Sequence, residues 1–489
     1  MNVLFATSWK TPHTSPPLGV GYLASYLREN GMEVGLLDYN FSTDFEDVRK
    51  KLEESNAELV AVSAMSSTFS TAKKIAEIAR KELDCPIALG GAHASIMPVE
   101  SLKDSAFDIA VVGEGERTSL ELAKAVSAGK SLSKVRGIYY KKGRSVKKNP
   151  PMPYIENLDE LPFPARDLME MKKYLVTPEE FPMLMPQTGL VAIRGCPFQC
   201  TYCQPTSMMM FGLKTRYRSP KSIVDEMELI RDAYKLESIK VGGDTLTARH
   251  DWIMELCKEI KDRKIDTLWI AGTRVNTVDD ERLKAMKEAG CYFIQFGVES
   301  GSPRVLKEVM NKGITVEQTR KAFALCKKHG IITGANIMLG SPTESRREIE
   351  MSIRLIKEIS PDMTSGYITN PLPGTYLYDQ ALEKSLITEC DLELIDRHGL
   401  GTMKRDITDE ELLLYLRKLW LVSKSEKVLN YLLPWRKPYY LSVALKRSLN
   451  LLQHDRKTLL SDFKTHALTP FALLKASIQV SRIPKNPSA

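Results

Sequence analysis

The chain reads as an α/β protein: an N-terminal doubly wound, Rossmann-like parallel sheet, then a partial (β/α)6 TIM-like barrel, then a helical C-terminal extension. Three observations predict this. Short apolar runs alternate with amphipathic stretches up to about residue 130, which argues for a parallel sheet covered on both faces. The alternation stops in a Lys-, Pro- and Gly-rich stretch and restarts at Gly189 for six further units. From about residue 405 strand-like runs disappear and the sequence turns helical and basic. At 489 residues the chain is too long for one core. Its 43% hydrophobic and 27% charged residues fit a soluble globular protein.

Taken in order, VLFA (3–6), EVGLLD (33–38), LVAVSA (59–64), PIALGG (86–91) and DIAVVG (108–113) are five expected strands. Leu18 to Asn30, Thr68 to Leu83 and Thr118 to Val126 are expected helices; Ile75, Ile78 and Ala79 fall at helical spacing in the second. Residues 131–187 hold KKGRSVKKNPPMP and LPFPA and predict a β-hairpin followed by an extended linker. The restarted pattern, 188–385, places strands at 190–193, 238–243, 268–272, 292–297, 333–340 and 364–369. Helices are expected at 219–234, 250–263, 279–289, 315–329 and 345–358. Six β/α units in a row predict a curled parallel sheet whose site lies at the carboxyl ends of its strands. Residues 386–489 form the basic, mainly helical remainder, and neither internal repeats nor low-complexity tracts occur.

Charge is unevenly placed. Of the net +8, residues 417–489 carry +11, from 14 Lys and Arg against Glu426, Asp455 and Asp462. The body of the chain is therefore slightly acidic, and an anionic partner is to be sought at the tail. The N-terminus has no charged lead or long apolar run, so it reads as a strand and not a signal peptide. No stretch approaches the length of a membrane span. Five cysteines (Cys85, Cys257, Cys291, Cys326, Cys390) are scattered, mostly in apolar surroundings, which predicts a reducing, cytoplasmic compartment.

The remaining three are not scattered. Arg194-Gly-Cys196-Pro-Phe-Gln-Cys200-Thr-Tyr-Cys203 follows the first strand of the barrel, at the functional end. Three thiolates in one short loop can ligate three irons of a cubane cluster. With no fourth cysteine nearby, one iron is left open to chelate an amino and a carboxylate group, which S-adenosylmethionine (SAM) offers together. A structural zinc site normally wants four ligands in paired spacing. A closed electron-transfer cluster would need Cys257 or Cys291 as its fourth ligand. Both alternatives stand at this point.

RGCPFQCTYC resembles the signature of the radical SAM superfamily. AGTRVNTVDDERLKAMKEAGCYFIQFGVESGSPRVLKEVMNKGIT (271–315), NIMLGSPTES (336–345) and NPLPGTYLYDQA (370–381) resemble the branch that carries a cobalamin-binding domain. The likeness spans roughly 190–385. It implies a 4Fe–4S cluster on Cys196, Cys200 and Cys203. For SAM it implies contacts from Tyr202, beside the cluster, and from Gly242, Gly243 and Asp244 after the second strand. Asp244 stands where the superfamily often has Glu. Arg274 would meet the SAM carboxylate as a bidentate fork. Glu299 would accept hydrogen bonds from ribose or amino groups, and Gly340 would let backbone approach adenine. Lys312 reads as a solvated surface lysine.

PPLGVGYLASYLRENGMEVGLLD (16–38), ALGGAHASIMPVE (88–100) and DIAVVGEGERTSLEL (108–122) resemble the cobalamin-binding domain of the same branch, assigned to 1–130. Gly90, Gly91, Gly113 and Gly115 would admit the flat cofactor, and Ser63 and Ser66 would hydrogen-bond its nucleotide tail. The motif DxHxxG is absent: Asp38-Tyr39-Asn40-Phe41-Ser42-Thr43 follows the second strand. Bound cobalamin would therefore lack a histidine ligand to cobalt, and His93 reads as a loop residue.

The resemblance implies a radical enzyme, most often a methyltransferase acting on an unactivated carbon through a 5′-deoxyadenosyl radical. Cyclisation, carbon–carbon bonding or oxidation without methyl transfer is an alternative, and a non-enzymatic cobalamin or iron–sulfur sensor another. It also implies an electron donor such as a flavodoxin or ferredoxin. Individual catalytic side chains are not identified, and neither is the substrate, a small molecule or lipid. The amphipathic basic tail suits a helical subdomain first, or peripheral contact with anionic lipid; nucleic acid is not expected.

Overall fold

The computed structural model describes residues 1–9, 16–42, 44–103, 105–175, 187–203, 206–387 and 403–432. Cys390 and most of the basic tail, 433–489, lie outside them. Two compact units are present. The first comprises Met1–Tyr174, Val191–Ser222 and Asn370–Lys404; the second comprises Leu175–Leu190, Ile223–Thr369 and Arg405–Ala489.

The first unit is built on a seven-stranded sheet. Its strands are β1 (Asn2–Thr7), β2 (Glu33–Leu37), β3 (Leu59–Ser63), β4 (Ile87–Gly90), β5 (Ile109–Val111), β6 (Ile138–Lys142) and β7 (Ser145–Lys148). They lie in the order β2-β1-β3-β4-β5-β6-β7. The first five run parallel, and the hairpin β6–β7 adds antiparallel to β5. Alternation along β1 explains the double winding. Val3 and Phe5 pack with the helices Leu18–Glu29 and Gly115–Ser127, whereas Leu4 and Ala6 pack with Phe45–Ser55 and Phe69–Glu82. Each face buries its own apolar cluster, as a parallel sheet requires.

Strands and helices fall within a few residues of their expected places. The helix Phe45–Ser55 is additional to the expected elements; Asp44 starts it by accepting from the Glu46 and Asp47 amides. The expected hairpin is present, but it belongs to the sheet, so the boundary expected at residue 130 falls inside one layer. The order of strand addition reverses between β1 and β3, which places a ligand crevice at their carboxyl ends.

The strands of the second unit are β8 (Gln187–Val191), β11 (Ser238–Gly242), β12 (Leu268–Thr273), β13 (Cys291–Glu299), β14 (Ile332–Leu339) and β15 (Met363–Ile368), in the order β15-β14-β13-β12-β11-β8. Two short strands, β9 (Ile193–Arg194) and β10 (Arg216–Tyr217), pair antiparallel in between in the chain. Pairing from β11 to β15 is parallel throughout. Helices Pro220–Tyr234, His250–Asp262, Asp280–Glu288, Val316–Lys328 and Arg346–Ile359 separate the strands. Thr315 with Gln318, and Ser345 with Glu348, form capping boxes that fix two helix starts. The strand ends Gly242, Thr273, Glu299 and Leu339 thus share one edge, as the partial barrel predicts. The helix Asp409–Leu432 follows. Among the described residues no helix is long and apolar enough to cross a membrane.

Candidate active site

The cysteine loop belongs to the first unit. The β9–β10 ribbon closes its base, pairing Arg194 with Arg216. Gly195 enters the loop at φ +89, where a Cβ would stand 2.8 Å from the Lys214 carbonyl oxygen, so only glycine fits this close approach. Within the loop the Cys203 amide donates to the Cys200 carbonyl at 3.0 Å, and the Leu377 amide donates to the Thr201 carbonyl at 3.0 Å. Leu377 lies in the first turn of the helix Tyr376–Glu383, so the NPLPGTYLYDQA motif braces the loop. Its Gly374 packs directly onto Ile96.

Sequence reasoning missed the strongest anchor. Arg194, two residues before Cys196, donates from Nη1 to Glu114 Oε1 at 2.9 Å and from Nη2 to Glu116 Oε1 at 2.6 Å. Arg216 Nη1 donates to Glu114 Oε2 at 2.8 Å and to the Ile155 carbonyl at 2.6 Å. All four side chains are at most 9% exposed. Burial opposes the charge of Arg194, but Glu116 and Glu114 more than offset it and hold the guanidinium ionised. Glu114 lies in the turn after β5 that also carries Gly113, and Glu116 in the first turn of the helix Gly115–Ser127, so one salt-bridged cluster fixes both that turn and the cysteine loop. The signal available was the pair of acids in VVGEGE beside the arginine of RGC, separated by 78 to 80 residues.

Cys200 is buried, Cys196 half-buried and Cys203 exposed, with Tyr202 half-buried between its neighbours. Among the described residues no group of three His, Cys, Asp or Glu side chains converges on a metal-sized point. The fit to a cluster therefore rests on the donors: three soft sulfur ligands on one braced loop, the set iron–sulfur clusters take. Cys257 and Cys291 are poor fourth ligands. Burial pushes the Cys257 thiol up to about 12 and the Cys291 thiol well above its ordinary range. Cys291 also opens β13, at the end of the strand opposite Glu299, and donates to the Phe293 carbonyl. A suppressed thiolate disfavours metal ligation.

At the carboxyl edge of the first sheet the expected residues separate into two groups. Nothing lies within 4 Å of where a Cβ would stand on Gly90, and Gly113 meets only the Met209 and Met210 carbonyl oxygens at 3.7 and 3.9 Å. These two leave a cradle that fits a large planar cofactor. Gly91 instead abuts the Ala64 backbone, and Gly115 abuts Leu23, so helix and strand packing account for both. Ser63 ends β3, and its carbonyl accepts from Ser8 Oγ at 2.8 Å. Ser66 is buried, 3.1 Å from His93 Nδ1. His93 lies in the helix Ala92–Ile96, buried and stacked on Phe69 at 4.0 Å, rather than in a loop. Burial lowers its pKa to about 4.

In the second unit Gly242 ends β11, close against the Leu190 carbonyl, and Gly243 and Asp244 are exposed beyond it. Burial of its surroundings still raises the Asp244 carboxyl above its ordinary value. Arg274 is 6% exposed. Its Nη2 donates to the Lys312 carbonyl and its Nε to Asn276 Oδ1 at 3.2 Å, so these two nitrogens are engaged by protein. Lys312 is not a solvated lysine. It is 4% exposed and its Nζ lies 3.1 Å from Glu299 Oε1. Glu299 sits at φ +63, and a Cβ on Gly297 would collide with this ion pair. Over Gly340 the expected open space is filled: Leu412 lies 2.9 Å from a notional Cβ, and Arg405 Nε donates to the Gly340 carbonyl at 2.9 Å.

Residues 190–356 match the radical SAM superfamily, and residues 9–123 match the B12 binding domain. The chain is 33% identical to the uncharacterized methyltransferase PH0819 of Pyrococcus horikoshii, over 83% of this chain and 87% of the relative. It belongs to the cobalamin-binding branch of the radical SAM superfamily. It is also 30% identical to the anaerobic magnesium-protoporphyrin IX monomethyl ester cyclase of Rubrivivax gelatinosus, over 76% of this chain and 67% of that one. The solved structure of OxsB, a cobalamin-dependent SAM radical enzyme, matches the fold with a TM-score of 0.72 at 18% identity, covering 99% of this chain and 82% of the other. The protein is thus a radical SAM enzyme whose cofactors are a 4Fe–4S cluster, SAM and cobalamin.

Proposed function

We propose that this radical SAM enzyme is a C-methyltransferase acting on an unactivated carbon. The observation that carries the reading is likeness to a named methyltransferase across both domains, together with an open cradle at Gly90 and Gly113 where cobalamin would lie. When bound, the cluster and SAM supply a carbon-centred radical, and methylated cobalamin supplies the methyl group. This chain contributes placement. Cys196, Cys200 and Cys203 would hold the cluster, with Tyr202 beside it. Gly242, Gly243 and Asp244 line the strand end where SAM would present its amino group. Arg274 holds the turn at Lys312, and Lys312 neutralises Glu299, so those two shape the edge through protein contacts. The salt-bridged Glu114 and Arg194 keep the thiol loop in register with the cobalamin turn. Electrons would come from a flavodoxin- or ferredoxin-type donor.

A second reading, radical cyclisation without methyl transfer, is supported by likeness to the cyclase. Protein reconstituted anaerobically with iron, sulfide and cobalamin, then reduced and given methyl-labelled SAM, separates the two. Labelled methylcobalamin and S-adenosylhomocysteine are expected. Cleavage of SAM to 5′-deoxyadenosine with no label on cobalamin would favour the second reading.

A further inference from the structure

Among the described residues, the face of the six-stranded sheet opposite its helices leaves open space at Gly272, a recess that the roles above leave unassigned. Trp269 turns toward the helices, where its Nε1 donates to the Ala289 carbonyl at 2.7 Å. Ile270, its neighbour along the strand, therefore faces the other way. Register aligns Lys240, Ile270, Phe293 and Ile332 in one row across β11 to β14. Ile270, Phe293 and Ile332 pack together as an apolar floor. The next row is Gly272, Gln295 and Gly334, and Asn336 stands in the row beyond.

Two polar features stand over this floor. Gln295 Nε2 donates to Asn336 Oδ1 at 2.6 Å, while Gln295 Oε1 is buried with no partner. Gly334 gives the Gln295 side chain its place, because a Cβ there would overlap it. Beside Gln295, Gly272 has nothing within 4 Å of a notional Cβ, so the space is open. Lys240 is exposed, and among the described residues no carboxylate pairs with it. Gly189 on β8 leaves room along its stem, with a notional Cβ 3.6 Å from the Lys240 Cβ. A buried acceptor without a donor is costly, and an ammonium with no carboxylate beside it is available to pair with an anion.

We propose that this recess seats the substrate, and that the substrate carries an anionic oxygen group received by Lys240 and a hydrogen-bond donor received by Gln295 Oε1. A carboxylate and a phosphorus oxyacid share the required chemistry. The inference rests on the methyltransferase reading only in taking the bound molecule to be the substrate. Ligand-observed NMR on cluster- and cobalamin-loaded protein, with SAM present, tests it with acetate and methylphosphonate as probes. At least one probe binds the wild type; roughly tenfold weaker binding is expected for Lys240→Gln, and retention for Lys240→Arg. Tighter methylphosphonate binding assigns the phosphorus oxyacid, tighter acetate binding the carboxylate. Absence of binding, or equal binding to Lys240→Gln, overturns the proposal. So does a parallel loss of SAM binding by Lys240→Gln in equilibrium dialysis, which would place Lys240 in the SAM site. Binding is measured without methyl transfer, so failure here and failure of the methyltransferase reading are distinct results.

Discussion

Both units bury charge beside their functional residues, but over different spans of chain. In the first, Glu114 and Glu116 reach Arg194 and Arg216 across 78 to 102 residues and pin the cysteine loop to a turn of the N-terminal sheet. In the second, Lys312 meets Glu299 across 13 residues, and Arg274 reaches the Lys312 carbonyl across 38. The long-range cluster fixes a loop that has little regular structure of its own. The local network only trims the end of a strand already held by the sheet. Ion pairs therefore tie the cysteine loop to its neighbours in the first unit, whereas backbone pairing already holds the strand end in the second.

Breaking the long-range cluster should have the largest effect. Glu114→Ala leaves two buried guanidinium groups short of a partner and is expected to cost about 3–5 kcal/mol in denaturant unfolding. Lys312→Met should affect the loaded loop far less, because the thiols do not depend on it. Equal loss of iron content from both variants would erase the distinction.

Proton linkage sharpens the contrast, since the two units respond to pH with opposite sign. His93 in the first unit is held neutral by burial, with its pKa lowered from 6.5 to about 4. Its contribution is complete above pH 6.5 and is lost as pH falls toward 4; at pH 5 the loss is about 2 kcal/mol. Glu344 in the second unit is 6% exposed, its Oε1 has no partner, and burial raises its pKa from 4.5 to about 7. Its contribution is complete below pH 4.5 and is lost as pH rises through 7. Unfolding curves at pH 5 and pH 8 should show His93→Gln flattening the acid limb and Glu344→Gln flattening the neutral one.

The smallest stability effects separate packing glycines from ligand glycines. Gly91→Ala, at φ +91 and 2.7 Å from the Ala64 carbonyl oxygen, should cost about 1–3 kcal/mol. Gly90→Ala, in open space, should stay within about 0.5 kcal/mol while lowering the cobalamin retained after reconstitution. Unchanged cobalamin content would remove Gly90 from the cradle.

These contrasts also explain what was legible in the sequence. Strand and helix periodicity placed nearly every element, because period two and period 3.6 are local properties. The thiol motif was legible because its ligands fall within eight positions. The partners of Arg194 were not, since nothing local marks Glu114 as its acceptor. Lys312 read as solvated because a lysine without a marked partner nearby in sequence is usually exposed, although Glu299 draws it inward. Gly115 and Gly340 looked like ligand contacts because a glycine that admits a cofactor and one that admits Leu23 or Leu412 are the same letter. The hairpin at 138–148 read as a separate piece because sheet membership is a tertiary fact.

The central claim is that the braced thiol loop makes this chain a radical SAM enzyme. Anaerobic reconstitution of wild type and of the Cys196→Ala, Cys200→Ala and Cys203→Ala variants, followed by reduction with SAM and assay of 5′-deoxyadenosine, tests it directly. The account predicts SAM cleavage by the wild type and background levels from each variant. Cleavage that survives loss of these cysteines, or a fully loaded wild type that leaves SAM intact, would contradict it.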